Sequence, residues 1–337
     1  MFLFIRLKVI IYLICASFFL STQADNEQQI PPTIQNIYTK AHLPIRTIRY
    51  GNGSGNVLLI CIPKCGTHLL TKCISLFKED GLSLNYKKEI KPPPARLAQI
   101  RKLNRHMPPN HYKGEFYPGY LGASPYSLIS RLTMKTSNRR LLWTHNVHNT
   151  RFENALVKIN TANFLMIRDP RAMVVSFAFM IHKSFEGKTA NFQNILTDLI
   201  TGRKQHYIRW GVEIQQAYPL LWEVGLAKFY ELYLPWIKAK NFMLIRFEDL
   251  VGGKGGGSDA KQLEAMINIG KHININMNEQ QIKNVINNLY GGTWTFREGQ
   301  IDSWKKYFTP EIKSLFKSQP GLNQLLIKLG YEKDTNW

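Results

Sequence analysis

The sequence predicts an α/β fold: a central, mostly parallel sheet with helices on both faces. Three observations predict it. Continuous apolar runs of strand length occur at 57–62, 141–144, 164–167 and 242–245, as expected of strands buried on both faces. Stretches with helical spacing follow or separate them, as in strand–helix units. The first run passes directly into a glycine-bearing turn and then a helical stretch, Leu69 to Phe77. With 337 residues, 44% of them apolar, the chain can bury a sizeable core, and one domain over 56–337 is expected.

The chain opens with Arg6 and Lys8, an apolar run from Val9 to Leu20, small residues in Thr22-Gln23-Ala24, and then polar Asp25-Asn26-Glu27. This reads as a targeting segment over 1–24. The run falls short of the ~20 residues of a comfortable membrane span, which favours a cleaved signal peptide. Counted from Met1, with both charges snorkelling, a signal anchor stays open. Export is therefore expected, as a secreted or membrane-anchored protein, with a cytoplasmic location only if the signal is unused. No later segment reads as membrane-spanning.

Residues 25–55 form an irregular lead-in, marked by Pro31-Pro32 and the run Gly51-Asn52-Gly53-Ser54-Gly55. The stretch 80–140 is broken by Pro92-Pro93-Pro94, Pro108-Pro109 and Pro118. Between 84 and 113, Lys87, Lys88, Lys91, Arg96, Arg101, Lys102, Arg105 and Lys113 face one acid, Glu89. It reads as an irregular, basic insertion in the α/β core, either a solvated loop or a lid or platform for an acidic acceptor. Helical segments are expected from 203 to 239, and the tail from Asp259 reads as helices with a polar, Asn-rich stretch between 274 and 288.

The formal charge is +21, from 44 Lys and Arg against 23 Asp and Glu. Such an excess points to an anionic partner: nucleic acid, a membrane surface, or phosphate- and sulfate-bearing ligands. Of the four cysteines, Cys15 lies in the targeting segment. Cys61, Cys65 and Cys73 are too few and too close for a disulfide framework. Cys61 and Cys65 have no matching zinc ligands elsewhere, so all three read as core or loop thiols.

The chemistry-bearing segments begin where the first strand ends, at Pro63-Lys64-Cys65-Gly66-Thr67-His68. Glycine lets backbone approach an anion closely, and a helix N-terminus then offers free N–H groups. Lys64 adds a charge and Thr67 a hydroxyl. The order is not that of a Walker A loop. A second candidate loop, Ile167-Arg168-Asp169-Pro170-Arg171, follows the third strand and enters a helix-like run from Ala172 to Met180 that carries Ser176. Pro170 suits a first helical turn, where its missing N–H is not needed. A third segment runs from Phe296 through Arg297, Glu298 and Gly299 to Phe308.

Pro63-Lys64-x-Gly66-Thr67 resembles the loop that holds the 5′-phosphosulfate in sulfotransferases dependent on 3′-phosphoadenosine-5′-phosphosulfate (PAPS). Arg168-Asp169-Pro170-Arg171, with Ser176 at its spacing, resembles their 3′-phosphate loop, and 296–308 resembles their C-terminal segment. The three elements occur in the family's order between 57 and 309. The resemblance implies a P-loop-like parallel sheet flanked by helices, and an enzyme moving a sulfuryl group from PAPS to a hydroxyl or amine. Lys64, Cys65, Gly66, Thr67 and His68 would form the 5′ side of the donor site. Arg168, Ser176, Arg297, Glu298 and Gly299 would form the 3′ side. Departures are Cys65 for a smaller residue, His68 for a second threonine, Leu69 where cytosolic members carry an adenine-stacking Trp, and Glu298 for a Lys.

Sulfuryl transfer needs a base for the acceptor proton and positive groups around the leaving phosphate. Thr144-His145 resembles the family's Lys-Thr-His element at a strand's carboxyl end, with Trp143 for the Lys. His145 is thus the candidate base and Lys64 its catalytic partner. His148 competes as base, and His68 reads first as structural. Gly252 to Ser258 mimics a phosphate loop but lacks the flanking fingerprint, so a flexible loop is expected. Glu248 and Asp249 suggest a Mg²⁺ site that this chemistry does not need, and no metal is expected. The competing functions are a nucleic-acid-binding protein, which needs a continuous basic face with interleaved aromatics, and a metal-dependent nucleotide kinase. The acceptor stays open among carbohydrate, lipid, phenol and peptide tyrosine, with export and the basic insertion favouring carbohydrate.

Overall fold

The computed structural model describes residues 55–77, 132, 141–182, 191–203, 207–209, 212–213, 219–293 and 296–337. The targeting segment, the lead-in except Gly55 and the basic insertion over 80–140 except Leu132 lie outside the described residues, and with them the expected form of the insertion.

Four strands make a parallel sheet: β1 (Val57–Cys61), β2 (Leu141–Thr144), β3 (Ala162–Ile167) and β6 (Phe242–Arg246), in the order β2-β1-β3-β6. Leu59 pairs with Trp143 on one side and Phe164 on the other. The strands read as unbroken apolar runs because both faces are covered. Leu58, Ile60, Leu165 and Ile167 enter one core cluster, while Val57, Leu59, Cys61, Phe164 and Met166 enter the other. Burial of each Leu, Ile or Phe side chain contributes about 1.5–3 kcal/mol.

Helix α1 (Thr67–Leu76) follows β1, and α2 (Thr150–Ile159) follows β2 after an N-cap from Asn149, whose side chain accepts from the N–H of Phe152 at 2.8 Å. Helix α3 (Pro170–His182) follows β3. The next elements are α4 (Phe192–Thr201), the antiparallel pair β4 (Ile208–Arg209) and β5 (Val212–Glu213), and α5 (Pro219–Glu231). Beyond β6 come α6 (Phe247–Leu250), α7 (Asp259–His272), α8 (Glu279–Leu289), α9 (Pro310–Ser318) and α10 (Leu322–Lys328).

Two expectations need correction. The helical reading of 203–239 fails at its start, where Ile208 pairs with Glu213 in a short hairpin. It fails again at Gly225, whose φ of 75° and ψ of 166° break α5. The Asn-rich stretch 274–288 holds most of α8. There Asn278 and Gln281 form a capping box, which satisfies two of the first-turn N–H groups, while Ile282, Val285 and Leu289 supply the buried face.

The topology positions a crevice. Leu69, Leu70, Cys73 and Ile74 of α1 pack on one face of the sheet, and Ala172, Met173 and Val174 of α3 pack on the other. Adjacent strands β1 and β3 therefore lead to opposite faces, and their carboxyl ends leave the opening where open α/β sheets bind ligands. The segments after both strands are the two candidate phosphate loops.

Candidate active site

The β1–α1 loop is shaped for an anion. Lys64 (φ 68°) and Gly66 (φ 110°) are both left-handed. Such conformations turn successive N–H groups toward one side. At Gly66 a Cβ would lie 2.6 Å from the Met166 side chain and 2.9 Å from Phe247, so the position demands glycine twice over. Gly66 gives α1 no side-chain cap, which leaves the first-turn N–H groups for a ligand. Cys65 turns the other way: its N–H donates to Ile62 O at 3.0 Å, and its thiol lies in the core 3.8 Å from the Tyr230 hydroxyl. Thr67 is buried beside Cys61. Burial pushes the Cys61 thiol up to about 12 and raises Cys65 and Cys73 further, consistent with inert core thiols.

His145 stands just past β2, half-buried. Its Nδ1 lies 2.6 Å from the carbonyl oxygen of Cys61. A carbonyl only accepts, so Nδ1 carries the proton and Nε2 presents its lone pair. Burial lowers the His145 pKa from 6.5 to about 4, opposed by the Cys61 hydrogen bond and assisted by the nearby charges of His68 and Lys64. The imidazole is neutral at pH 7. The Tyr233 hydroxyl donates to His145 O at 2.6 Å and Trp236 Nε1 donates to Asn146 O at 3.3 Å, which fixes the strand end. His148 is committed elsewhere: its Nε2 lies 2.8 Å from Glu153 and its ring packs edge-on to Trp236. His68, in the first turn of α1, meets the Trp143 ring edge-on at 6.1 Å.

The β3–α3 loop is held from beneath. The hydroxyl of Tyr230 accepts from the Arg168 N–H at 3.0 Å and also donates to Arg168 O. The same hydroxyl meets Cys65, so one phenol ties the two candidate loops together. Asp169 Oδ1 accepts from the Arg171 N–H at 2.8 Å and, with Oδ2, binds its guanidinium. Arg171 also pairs with Glu332 at 2.5 Å, and its guanidinium carbon lies 4.1 Å from the Trp304 ring centre and 4.5 Å from that of Trp337. Glu248 accepts from the Asp169 N–H at 2.9 Å and from the Tyr331 hydroxyl at 3.1 Å, contacts of a loop support. Arg168 itself is buried at the end of β3. Its guanidinium covers Phe247 at 3.9 Å and Nη2 donates to Gln300 O at 3.3 Å, while buried Nε has no partner among the described residues.

The third segment closes on the second. Arg297 lies 4.0 Å above the ring of Phe179. Ser176 is one turn earlier on the same face of α3, and these two are the positions of that helix before His182 that are not fully buried. Burial lowers the Arg168 pKa, and the charge of Arg297 adds to the effect, which sets the two guanidinium groups within electrostatic reach. Arg297 is bound by the Glu298 carboxylate and by the Tyr307 hydroxyl at 3.3 Å. Gly299 (φ 69°) has no room for a Cβ, which would meet Phe296 at 2.6 Å.

The glycine-rich stretch before α7 is no phosphate loop, and it is not a loose loop either. Gly253–Gly255 is a 3₁₀ turn, hydrogen-bonded from Gly255 N–H to Gly252 O and from Gly257 N–H to Gly252 O. It docks the third segment: Ile301 N–H donates to Gly255 O at 3.0 Å and Gln300 Nε2 donates to Lys254 O at 2.8 Å. A Cβ on Gly255 would lie 2.8 Å from Gly299 O.

The structure thus forms two neighbouring groups. Lys64, Gly66, Thr67, His68 and His145 gather at the ends of β1 and β2. Arg168, Ser176, Arg297, Glu298 and Gly299 gather beside β3 and α3. Cys65 supports the first group from the core side. Tyr230, Phe179 and Tyr307 were missed from sequence. A single aromatic in a helical run carries no signal of which loop it will meet. Among the described residues no cluster of His, Cys, Asp or Glu is arranged to hold a metal ion.

The fold is similar to that of solved sulfotransferases. Mouse sulfotransferase SULT7A1, in complex with PAP, matches with a TM-score of 0.50 at 14% identity, over 82% of this chain and 85% of that chain. Retinol dehydratase, in complex with androsterone and the inactive cofactor PAP, matches with a TM-score of 0.47 at 14% identity, over 82% and 81%. The sulfotransferase domain of the Synechococcus PCC 7002 olefin synthase matches with a TM-score of 0.43 at 12% identity, over 85% and 98%. No curated protein sequence matches the chain. The family model of the sulfotransferase domain matches residues 54–319, from just before β1 to just past α9, and the chain belongs to that family: it is an enzyme of sulfuryl transfer.

Proposed function

We propose that this sulfotransferase takes its sulfuryl group from PAPS and passes it to a hydroxyl or amine acceptor, with His145 as general base. The observation that carries the reading is the 2.6 Å contact of His145 Nδ1 with the Cys61 carbonyl, which leaves Nε2 with its lone pair to accept a proton. Positively charged groups stand on both sides of the opening. On the β1 side, Lys64 and the uncapped first turn of α1 suit the 5′-phosphate. On the β3 side, Ser176, Arg297, the Gly299 backbone and the unpartnered Arg168 Nε suit the 3′-phosphate. The mouse sulfotransferase of similar fold, solved in complex with PAP, supports the same donor.

PAPS supplies the sulfuryl group and leaves as PAP. His145 Nε2 takes the acceptor's proton as the acceptor oxygen or nitrogen attacks sulfur in line. The bond from sulfur to the 5′-phosphate oxygen breaks, and its electron pair departs on that oxygen. Lys64 and the N–H groups of the Gly66–Thr67 turn stabilise the charge that develops there. The arginines fix the donor's register away from the sulfur. The targeting segment and the basic insertion support an exported enzyme with a carbohydrate acceptor. The test is transfer of labelled sulfate from PAPS to a panel of sugar, phenol, lipid and tyrosyl-peptide acceptors in EDTA. Transfer to a sugar and its loss in His145→Ala are expected. Transfer that needs Mg²⁺, or is unchanged in His145→Ala, contradicts the proposal.

A further inference from the structure

Trp143 stands where the family resemblance has a lysine, and its surroundings give it a different task. Position 143 pairs with Leu59 and puts its side chain on the α1 face of the sheet, while the next residue, Thr144, is fully buried. The indole lies 5.3 Å from the His145 ring, at a tilt of 58°, and 6.1 Å from the His68 ring, at 69°. One aromatic wall therefore touches both the proposed base and the first turn of the donor-binding helix.

We propose that Trp143 is a positioning residue: its indole holds the His145 ring against the Cys61 carbonyl and keeps water from it. The inference rests on His145 being the base. An ammonium at this place would repel a proton on His145 by charge, whereas an indole does so by removing solvent. Burial is in fact the largest influence lowering the His145 pKa. The charged or titratable groups that face His145 are His68 of α1 and Lys64 of the β1–α1 loop. From β1 the contact is the Cys61 carbonyl, and the Tyr233 hydroxyl binds the backbone of His145 rather than its ring. Of these only His68 also meets the indole, and its own signal in the same titration shows whether it moves when the indole is removed.

The test follows His145 directly and needs no acceptor. The full chain, labelled with ¹³C and ¹⁵N in histidine, is titrated by NMR without ligand as the native sequence, Trp143→Phe, Trp143→Leu and Trp143→Ala, and PAP binding to the native protein is measured separately. In the native protein the His145 signal should titrate near 4 with the proton on Nδ1. Trp143→Phe should stay within about half a pH unit, and Trp143→Ala should rise by about one unit or more toward the solvated value. If Trp143→Ala does not fold, Trp143→Leu should titrate above Trp143→Phe. Equal titration of His145 in the native protein and every folded variant overturns the proposal, as does a Nδ1 proton equally fixed in all of them. Failure of the native protein to bind PAP overturns the donor-site reading instead.

Discussion

His145 donates from Nδ1 to the carbonyl oxygen of Cys61 across 2.6 Å, joining the ends of two adjacent parallel strands. The contact sets the tautomer, and burial sets the charge. Because the folded pKa is lowered from 6.5 to about 4, the base form survives far below the range of an exposed histidine. The acid limb of kcat/KM should fall near 4 rather than near 6.5, since that profile reports the free enzyme's base. The same shift acts on stability. Between pH 6.5 and 4 the unfolded chain takes up a proton here that the folded chain refuses. Stability is therefore full above 6.5 and declines as pH falls through that window. A pH profile with its acid limb at 6.5 would contradict this.

The two halves of the site should separate in kinetics. His145→Ala should lower kcat by about 100-fold or more while PAP affinity stays near normal. Ser176→Ala and Arg297→Ala should mainly raise KM for PAPS, because they remove binding common to ground and transition states. Lys64→Ala should do both. Steady-state kinetics with calorimetric PAP titration reads all four, and loss of activity in His148→Ala with normal turnover in His145→Ala would reassign the base.

Glu298 holds Arg297, and a carboxylate there competes with the donor's 3′-phosphate for the same guanidinium. The pair is partly exposed, and such pairs contribute up to about 1 kcal/mol. Glu298→Gln should therefore tighten PAP binding by a few-fold, up to about fivefold. Weaker binding would mean that Glu298 helps hold the donor.

Arg171 supports the loop without facing the crevice. It is 3% exposed, bound by Asp169 and Glu332, and in contact with the rings of Trp304 and Trp337. Arg171→Met keeps the volume but strands Asp169, itself 6% exposed. A loss of about 3–5 kcal/mol is expected, read from denaturant unfolding. Near-native stability would show that the pair is dispensable.

Much of this was legible along the chain, and the reason is local. The apolar run of β1, the glycine of the first loop and the Arg-Asp-Pro entry to α3 each place their chemistry within a few consecutive residues. What stayed hidden depends on contacts between distant segments. Tyr230 joins Cys65 to Arg168 across 165 and 62 positions. Gly255 carries the third loop through its backbone, so a stretch that resembles a linker in composition is a packed turn. The helical reading of 203–239 held from Pro219 onward, apart from the break at Gly225, but missed the hairpin at its start, because two-residue strands carry too little periodicity to see. The Asn-rich stretch misled in a different way: asparagine is a poor helix former, yet Ile282, Val285 and Leu289 kept helical spacing and tertiary burial decided the outcome.

The central claim is that the crevice between β1 and β3 binds PAPS and that His145 then moves the acceptor's proton. Its most direct measurement is single-turnover transfer of ³⁵S from PAPS in EDTA, run with the native protein and His145→Ala at equal donor occupancy. Transfer by the native protein and a rate lower by about 100-fold or more in the variant are expected. Equal rates at equal occupancy would contradict it.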